Sequence, residues 1–192
     1  MIATRGQSNE GDMAIDDIEI KPGRCASVEV FSCNFNEGTC GMGFTSDGNA
    51  DWMLAKKPYS TDYGPLGGDK TGTGHYIIMV EQTKGTVGSA KLLTPFLDLK
   101  EEFCLKVYTQ IYDGREATMK ISALKKDGTQ RGGEYTVGLG SIVHWKGWLQ
   151  VQLAFSASYE GEFRLVFDLS KTAKISQGFA FDDITILSGK CP

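Results

Sequence analysis

Gly178-Phe179-Ala180-Phe181-Asp182-Asp183-Ile184-Thr185-Ile186-Leu187-Ser188-Gly189-Lys190-Cys191 decides the fold. Apolar residues alternate along it as on a strand with one buried face, two adjacent carboxylates interrupt the alternation, and a Gly-x-Cys closes it. One of those carboxylates must point inward or sit at a bulge, because a regular strand has no third direction to offer it. The chain writes nearly the same phrase earlier: Met13-Ala14-Ile15-Asp16-Asp17-Ile18-Glu19-Ile20-Lys21-Pro22-Gly23-Arg24-Cys25 aligns with it without a gap, Cys25 falling on Cys191. A segment that recurs at a long fixed offset is the mark of an array. Residues 1–25 therefore read as the C-terminal remnant of a preceding repeat and 26–192 as one complete domain, the remnant being loosely attached because a strand without its sheet cannot bury both faces.

Outward from that strand, the chain is a succession of short alternating segments, at 28–35, 52–55, 75–80, 90–99, 103–112, 117–125, 135–139, 148–155, 163–169 and 179–187. Asp113-Gly114 and Asp127-Gly128 are hairpin turns, since glycine takes positive φ without a steric penalty. No apolar stripe at helical spacing lies between caps. The reading is all-β, a jelly-roll sandwich of two antiparallel sheets. Within it, Phe103, Leu105, Val107 and Tyr108 are expected in the core with a slip in the alternation, and Trp52 in the core as well.

Composition narrows the function. A net charge of −4 with scattered lysine pairs offers no basic patch for nucleic acid or an anionic membrane. No run of eighteen apolar residues exists. Five cysteines, at 25, 33, 40, 104 and 191, lack a Cys-x-x-Cys pair and have only two histidines for company, so zinc does not fit and an oxidising, extracellular setting does. Cysteine arithmetic alone allows several pairings. If Cys191 closes its own domain onto an internal strand, as Cys25 does for the preceding repeat, Cys104 pairs with Cys191 and Cys33 with Cys40. No Asn-x-Ser/Thr acceptor is present.

Taken together, Cys33-Asn34-Phe35-Asn36-Glu37-Gly38-Thr39-Cys40-Gly41, Asp51-Trp52, Gly68-Asp69-Lys70-Thr71-Gly72-Thr73-Gly74-His75-Tyr76, Ala90-Lys91-Leu92-Leu93-Thr94-Pro95, Cys104-Leu105, Trp148 and Ala180-Phe181-Asp182-Asp183-Ile184 resemble the MAM domain, the family of meprins, neuropilin-type receptors and mu-class receptor tyrosine phosphatases. Met42 departs from the family's usual aromatic residue, and Asn36 from its frequent glutamate. The resemblance implies an extracellular sandwich with two internal disulfides, similar in appearance to concanavalin-like and galactose-binding-like folds. It also implies a module without catalytic activity, acting in cell adhesion and in receptor or matrix association, with tandem repeats as in multi-MAM proteins. Its partners are then other proteins or itself at the cell surface, together with a neighbouring MAM repeat. A lectin-like, glycan-binding sandwich is the alternative.

Chemistry in the chain is sparse. His75 and His144 lie in separate segments without a His-Glu-x-x-His helix, no Gly-x-Ser-x-Gly elbow is present, and Gly72-Thr73-Gly74 runs into a strand rather than the helix that a phosphate cradle requires. Enzymatic activity is not expected, and no cofactor is required. The carboxylates are the polar feature left. A charge in so apolar a strand needs a partner or a cation, and all-oxygen donors suit calcium or sodium. Asn36, Asp69 and Asp182 are the expected ligands of a structural ion; the other reading has Asp182 capping backbone amides or pairing with a Lys or Arg while Asp183 is solvated. Tyr59 and Tyr63, in the long 56–73 loop, are the expected interaction surface, because tyrosines give large contact area at low entropic cost.

Overall fold

The computed structural model describes residues 27–56, 65, 67–81, 87–112, 117–138, 147–156, 161–171 and 178–192. Eleven strands run through them: β1 (Glu29–Cys33), β2 (Gly43–Ser46), β3 (Ala50–Ala55), β4 (Tyr76–Glu81), β5 (Gly88–Leu93), β6 (Phe103–Tyr112), β7 (Ala117–Lys125), β8 (Gln130–Gly138), β9 (Leu149–Phe155), β10 (Phe163–Lys171) and β11 (Gly178–Ser188). No helix occurs among the described residues. One antiparallel sheet has the order β3-β4-β11-β6-β9 with β1 also on β11, and the other is β2-β5-β10-β7-β8. The expected sandwich of two antiparallel sheets is what forms.

The sheets close on each other because each strand presents alternate apolar residues to the gap between them. Phe103, Leu105 and Val107 of β6, Phe179 and Phe181 of β11, and Phe163, Leu165, Phe167 and Leu169 of β10 are all buried in one cluster. Phe103 stacks on Phe155 at 4.6 Å and on Phe163 at 5.2 Å, so rings from both sheets interlock. Burial of this kind contributes about 1.5–3 kcal/mol for each large apolar side chain. Met42, at the position of the family's aromatic residue, is buried in the same core. Phe35 is fully buried there too, although its φ of 58° is left-handed.

Sequence readings change at β2, Tyr108 and Trp52, and the strand expected over 90–99 ends at Leu93. β2 was absent from the expected strands; its four residues are all exposed, so Gly43-Phe44-Thr45-Ser46 carries no alternating signature even though it pairs with β5 from Gly43 opposite Leu93. Tyr108 is not a core residue. β6 alternates without a slip, in unbroken register with β9 from Phe103 to Thr109, and turns Tyr108 outward, where the Lys70 ammonium lies 3.8 Å from its ring centroid. The irregularity belongs to the partner strand, β11, between Asp182 and Thr185. Trp52 is only partly buried against the core, its indole N–H donating to the Lys91 carbonyl at 3.1 Å.

Both internal disulfides are formed. Cys33–Cys40 has a sequence separation of 7, and Cys104–Cys191 of 87. In the chain-entropy account these closures are worth about 2 and about 4–5 kcal/mol. A second apolar cluster, Ala55, Tyr76, Ile78 and Ala180 with Met53, Val80 and Trp148 packed on it, lies on the outer face of the β11 sheet. The Trp148 indole N–H donates to the Gly68 carbonyl at 3.2 Å, which ties the glycine-rich segment down over that face.

Candidate cation site at the break in the central strand

β11 is paired along one edge by β6, but its other edge is divided. β4 takes Phe179–Phe181, β1 takes Ile184–Leu187, and Asp182-Asp183 falls in the gap between them. A change of partner leaves backbone groups in the gap without a ladder, and a bulge resolves it by re-aiming residues out of the sheet. Asp183 has φ 45° there. Phe35 and Cys40 are the other non-glycine residues with left-handed φ among those described, and both belong to the neighbouring disulfide loop. Strain of about 1–2 kcal/mol at each such residue is thus concentrated around one notch.

Into the notch come the chain leaving β1 and the chain entering β4. Asn36 Oδ1 accepts from the His75 amide at 2.7 Å and so bridges the two. Asp182 Oδ2 accepts from the Lys70 amide at 3.0 Å and its Oδ1 from the Asp183 amide at 2.8 Å. The Asp183 carboxylate pairs with the Lys70 ammonium at 2.7 Å. Both halves of the cation-free alternative are therefore met in altered form: Asp182 does cap amides, while the lysine goes to Asp183, which is half-buried rather than solvated. An open cleft of about 690 Å³ beside the Cys33–Cys40 bridge, with Glu29, Glu37, Asn36 and Asp183 among its walls, gives solvent access.

Asp69 is 4% exposed. Its Oδ2 accepts from the Thr71 hydroxyl at 2.6 Å and the Thr71 amide at 3.2 Å, whereas its Oδ1 is buried without a partner. Burial pushes the Asp69 carboxyl up, but the Thr71 hydroxyl and the amides of Gly74, Thr71 and Thr73 together outweigh it and hold it below the ordinary 3.8. For Asp182 burial wins. Against the Lys70 and Asp183 amides, and with the charges of Asp183 and Asp69 adding to it, burial pushes this carboxyl up to about 6. Lys70 is raised, chiefly by its hydrogen bond to Asp183.

Of the expected ligands, Asn36 and Asp69 meet at Gly74, and Asp182 joins the same segment through the Lys70 amide. A methyl group at Gly74 would sit 2.3 Å from Asn36 Oδ1 and 2.7 Å from Asp69 Oδ2, so those oxygens face a space that only glycine leaves open. The Asp69 charge is close enough to act on Asp182. No three His, Cys, Asp or Glu side chains converge on one point among the described residues. An unpartnered buried carboxylate oxygen and a glycine-shaped cradle lined by oxygen fit a hard cation, which would satisfy Asp69 Oδ1 at a cost otherwise of about 1–3 kcal/mol or more. Lys70, Thr71 and Gly74 enter the sequence reading only as part of the Gly68–Tyr76 motif, without a role beside Asp182; their signal is the Gly-rich run that brackets Asp69. Tyr59 and Tyr63 lie outside the described residues, as does His144.

The described residues thus form a disulfide-pinned antiparallel sandwich with a polar notch in its central strand. The chain belongs to the MAM domain family (meprin/A5/mu), which it matches over residues 33–192. It is 25% identical over 195 residues to human MAM domain-containing protein 2, covering 94% of this chain and 27% of that protein. The mouse protein of the same name is 23% identical with the same coverage. The chain thus spans about a quarter of the length of these relatives. In structure it resembles a carbohydrate-binding module, TmCBM61, solved with β-1,4-galactotriose, at a TM-score of 0.51 and 10% identity, covering 81% of this chain and 94% of that one. It also resembles the Stig cyclase Fisc from Fischerella sp. TAU, at a TM-score of 0.56 and 12% identity, covering 87% and 100%. At such identities the likeness is one of fold.

Proposed function

We propose that this chain is a non-catalytic extracellular interaction module from a multi-MAM protein, acting by contact in cell adhesion or in receptor or matrix assembly. Membership of the MAM family carries the reading, and the two disulfides fit an oxidising compartment. Residues 1–25 are then the end of a preceding repeat, with Cys25 paired inside it. In support, the alignment with the human relative covers 94% of the 192 residues, more than the 160 from 33 to 192 supply, so it runs into the segment ahead of Cys33.

The notch holds a structural cation, calcium or sodium, on Asn36, Asp69 and Asp182. Neutralising the Asp69–Asp182 repulsion fastens the 69–75 segment to β11 and holds the surface rigid for a partner. The chemistry is charge neutralisation only.

A glycan-binding reading is favoured by the sandwich fold shared with carbohydrate-binding modules. Against it, only Phe44 and Phe96 of the exposed large apolar residues among those described are aromatic. Exposed ion pairs, Lys91–Asp168 and Lys120–Glu134, mark the other sheet. Among the described residues, a surface of ion pairs without a row of aromatics offers little for sugar rings to stack on.

The test is binding of the oxidised, multimerised module to cells pretreated either with protease or with glycosidases. Loss after protease with retention after glycosidases is expected; the reverse pattern would replace the protein-binding reading with the lectin one. Sedimentation at several concentrations would show whether the module is its own partner.

A further inference from the structure

The two ends of the module lie side by side. β1 runs antiparallel to β11 with Glu29 opposite Leu187. The Ser188 amide donates to the Val28 carbonyl at 2.8 Å, and the Val28 amide donates to Ser188 Oγ at 3.1 Å. Past Ser188, the Gly189 amide donates to the Glu102 carbonyl at 2.7 Å and Cys191 is bonded to Cys104. The chain enters and leaves at one end, where Ser27, Glu102 and residues 188–192 frame a cleft of about 360 Å³. On that end Val28 is 64% exposed and Val30 40% exposed, Val28 the most exposed of the large apolar residues described.

We infer that this end is the docking surface for the preceding repeat, whose exit segment Lys21–Cys25 it receives, so that consecutive repeats meet at their shared entry–exit ends instead of forming beads on a string. The inference rests on the reading of residues 1–25 as the close of a like domain. Under that reading Lys21–Cys25 corresponds to Leu187–Cys191, so Cys25 belongs to the disulfide that closes the equivalent end of the preceding repeat. A single residue, Ala26, separates Cys25 from Ser27, and two residue steps reach at most about 7 Å. The preceding repeat's closing disulfide is therefore tethered beside the cleft.

The incoming segment carries Lys21 and Arg24, and the cleft is lined by Glu102 beside Lys190, with Glu101 next in sequence. Exposed valines at the start of a strand are surface that an adjoining module can cover.

The test compares hydrogen–deuterium exchange of the 192-residue chain with that of the protein extended through the whole preceding repeat. Amides in 28–31 and 188–191 are expected to exchange about tenfold or more slowly in the longer protein, with β4 unchanged. Replacing Val28→Asp and Val30→Asp in the longer protein should abolish that slowing, while leaving the melting temperature of the shorter chain unaltered. Equal exchange at these amides in both proteins, or slowing confined to another face, overturns the docking. Non-reducing peptide mapping of the longer protein separates the two ways of failing. Cys25 joined to a cysteine upstream of residue 1 sustains the repeat, so that unchanged exchange then counts against docking alone; Cys25 free, or joined to one of the four cysteines of this module, overturns both.

Discussion

The two edges of β11 teach different lessons. Along the edge shared with β6 a single partner serves from Gly178 to Ser188, broken only by the bulge between Asp182 and Thr185, and Phe179, Phe181 and Ile186 on it are fully buried hydrocarbon. Along the other edge the partner changes from β4 to β1, and at the change stand Asp182 and Asp183. Continuity of pairing goes with apolar packing, and interruption goes with charge, because only a side chain that accepts hydrogen bonds can satisfy amides the ladder leaves over. The two disulfides divide in the same way. Cys104–Cys191 closes the continuous body, and Cys33–Cys40 shapes the loop that presents Asn36 to the interruption.

That contrast is broken most severely at the long disulfide. Converting Cys104 and Cys191 to alanine is expected to cost about 4–5 kcal/mol in denaturant unfolding, against about 2 for the Cys33–Cys40 pair; equal losses would remove the distinction between body and notch. Next in size is the ion. Calcium at a hundredfold excess over its dissociation constant should add about 2.7 kcal/mol, and Asp69→Asn should abolish the increment, whereas a calorimetric melt unmoved by calcium and by chelator would leave the notch a hydrogen-bonded bulge. Gly74→Ala, by driving a methyl group against Asn36 Oδ1, is expected to destabilise by about 1–3 kcal/mol and to weaken calcium binding in the same titration. Trp148→Phe should cost about 1 kcal/mol through the lost bond to the Gly68 carbonyl, read from the thermal midpoint, with the Cys104–Cys191 body unaffected.

Much of the continuous edge was legible in the sequence, because periodic burial writes itself as alternation. β6, β7, β9, β10 and β11 were found within a residue or two of their ends. β2 was not, since an exposed edge strand of four residues owes its existence to pairing with β5 rather than to any face of its own. The start of β8 was missed for a related reason: Gln130-Arg131-Gly132-Gly133 has no apolar residue to alternate. At the notch, the paired aspartates announce a bulge, and Asn36 and Asp69 stand there as hydrogen-bond acceptors, their role as ion ligands being part of the proposal. What the chain did not announce was the assignment of Lys70, whose amide serves Asp182 while its ammonium serves Asp183 and covers Tyr108. Such a division depends on where a loop crosses a sheet, which no local spacing encodes.

The hydrogen bonds between Val28 and Ser188 have one more consequence. A unit whose first and last residues are already held together can be spliced into a surface loop of an unrelated protein with little disturbance to its host, since the host need only part its chain by the width of one strand pair. The fold is thereby a cassette, transferable as a single insertion, and its own covalent closure travels with it.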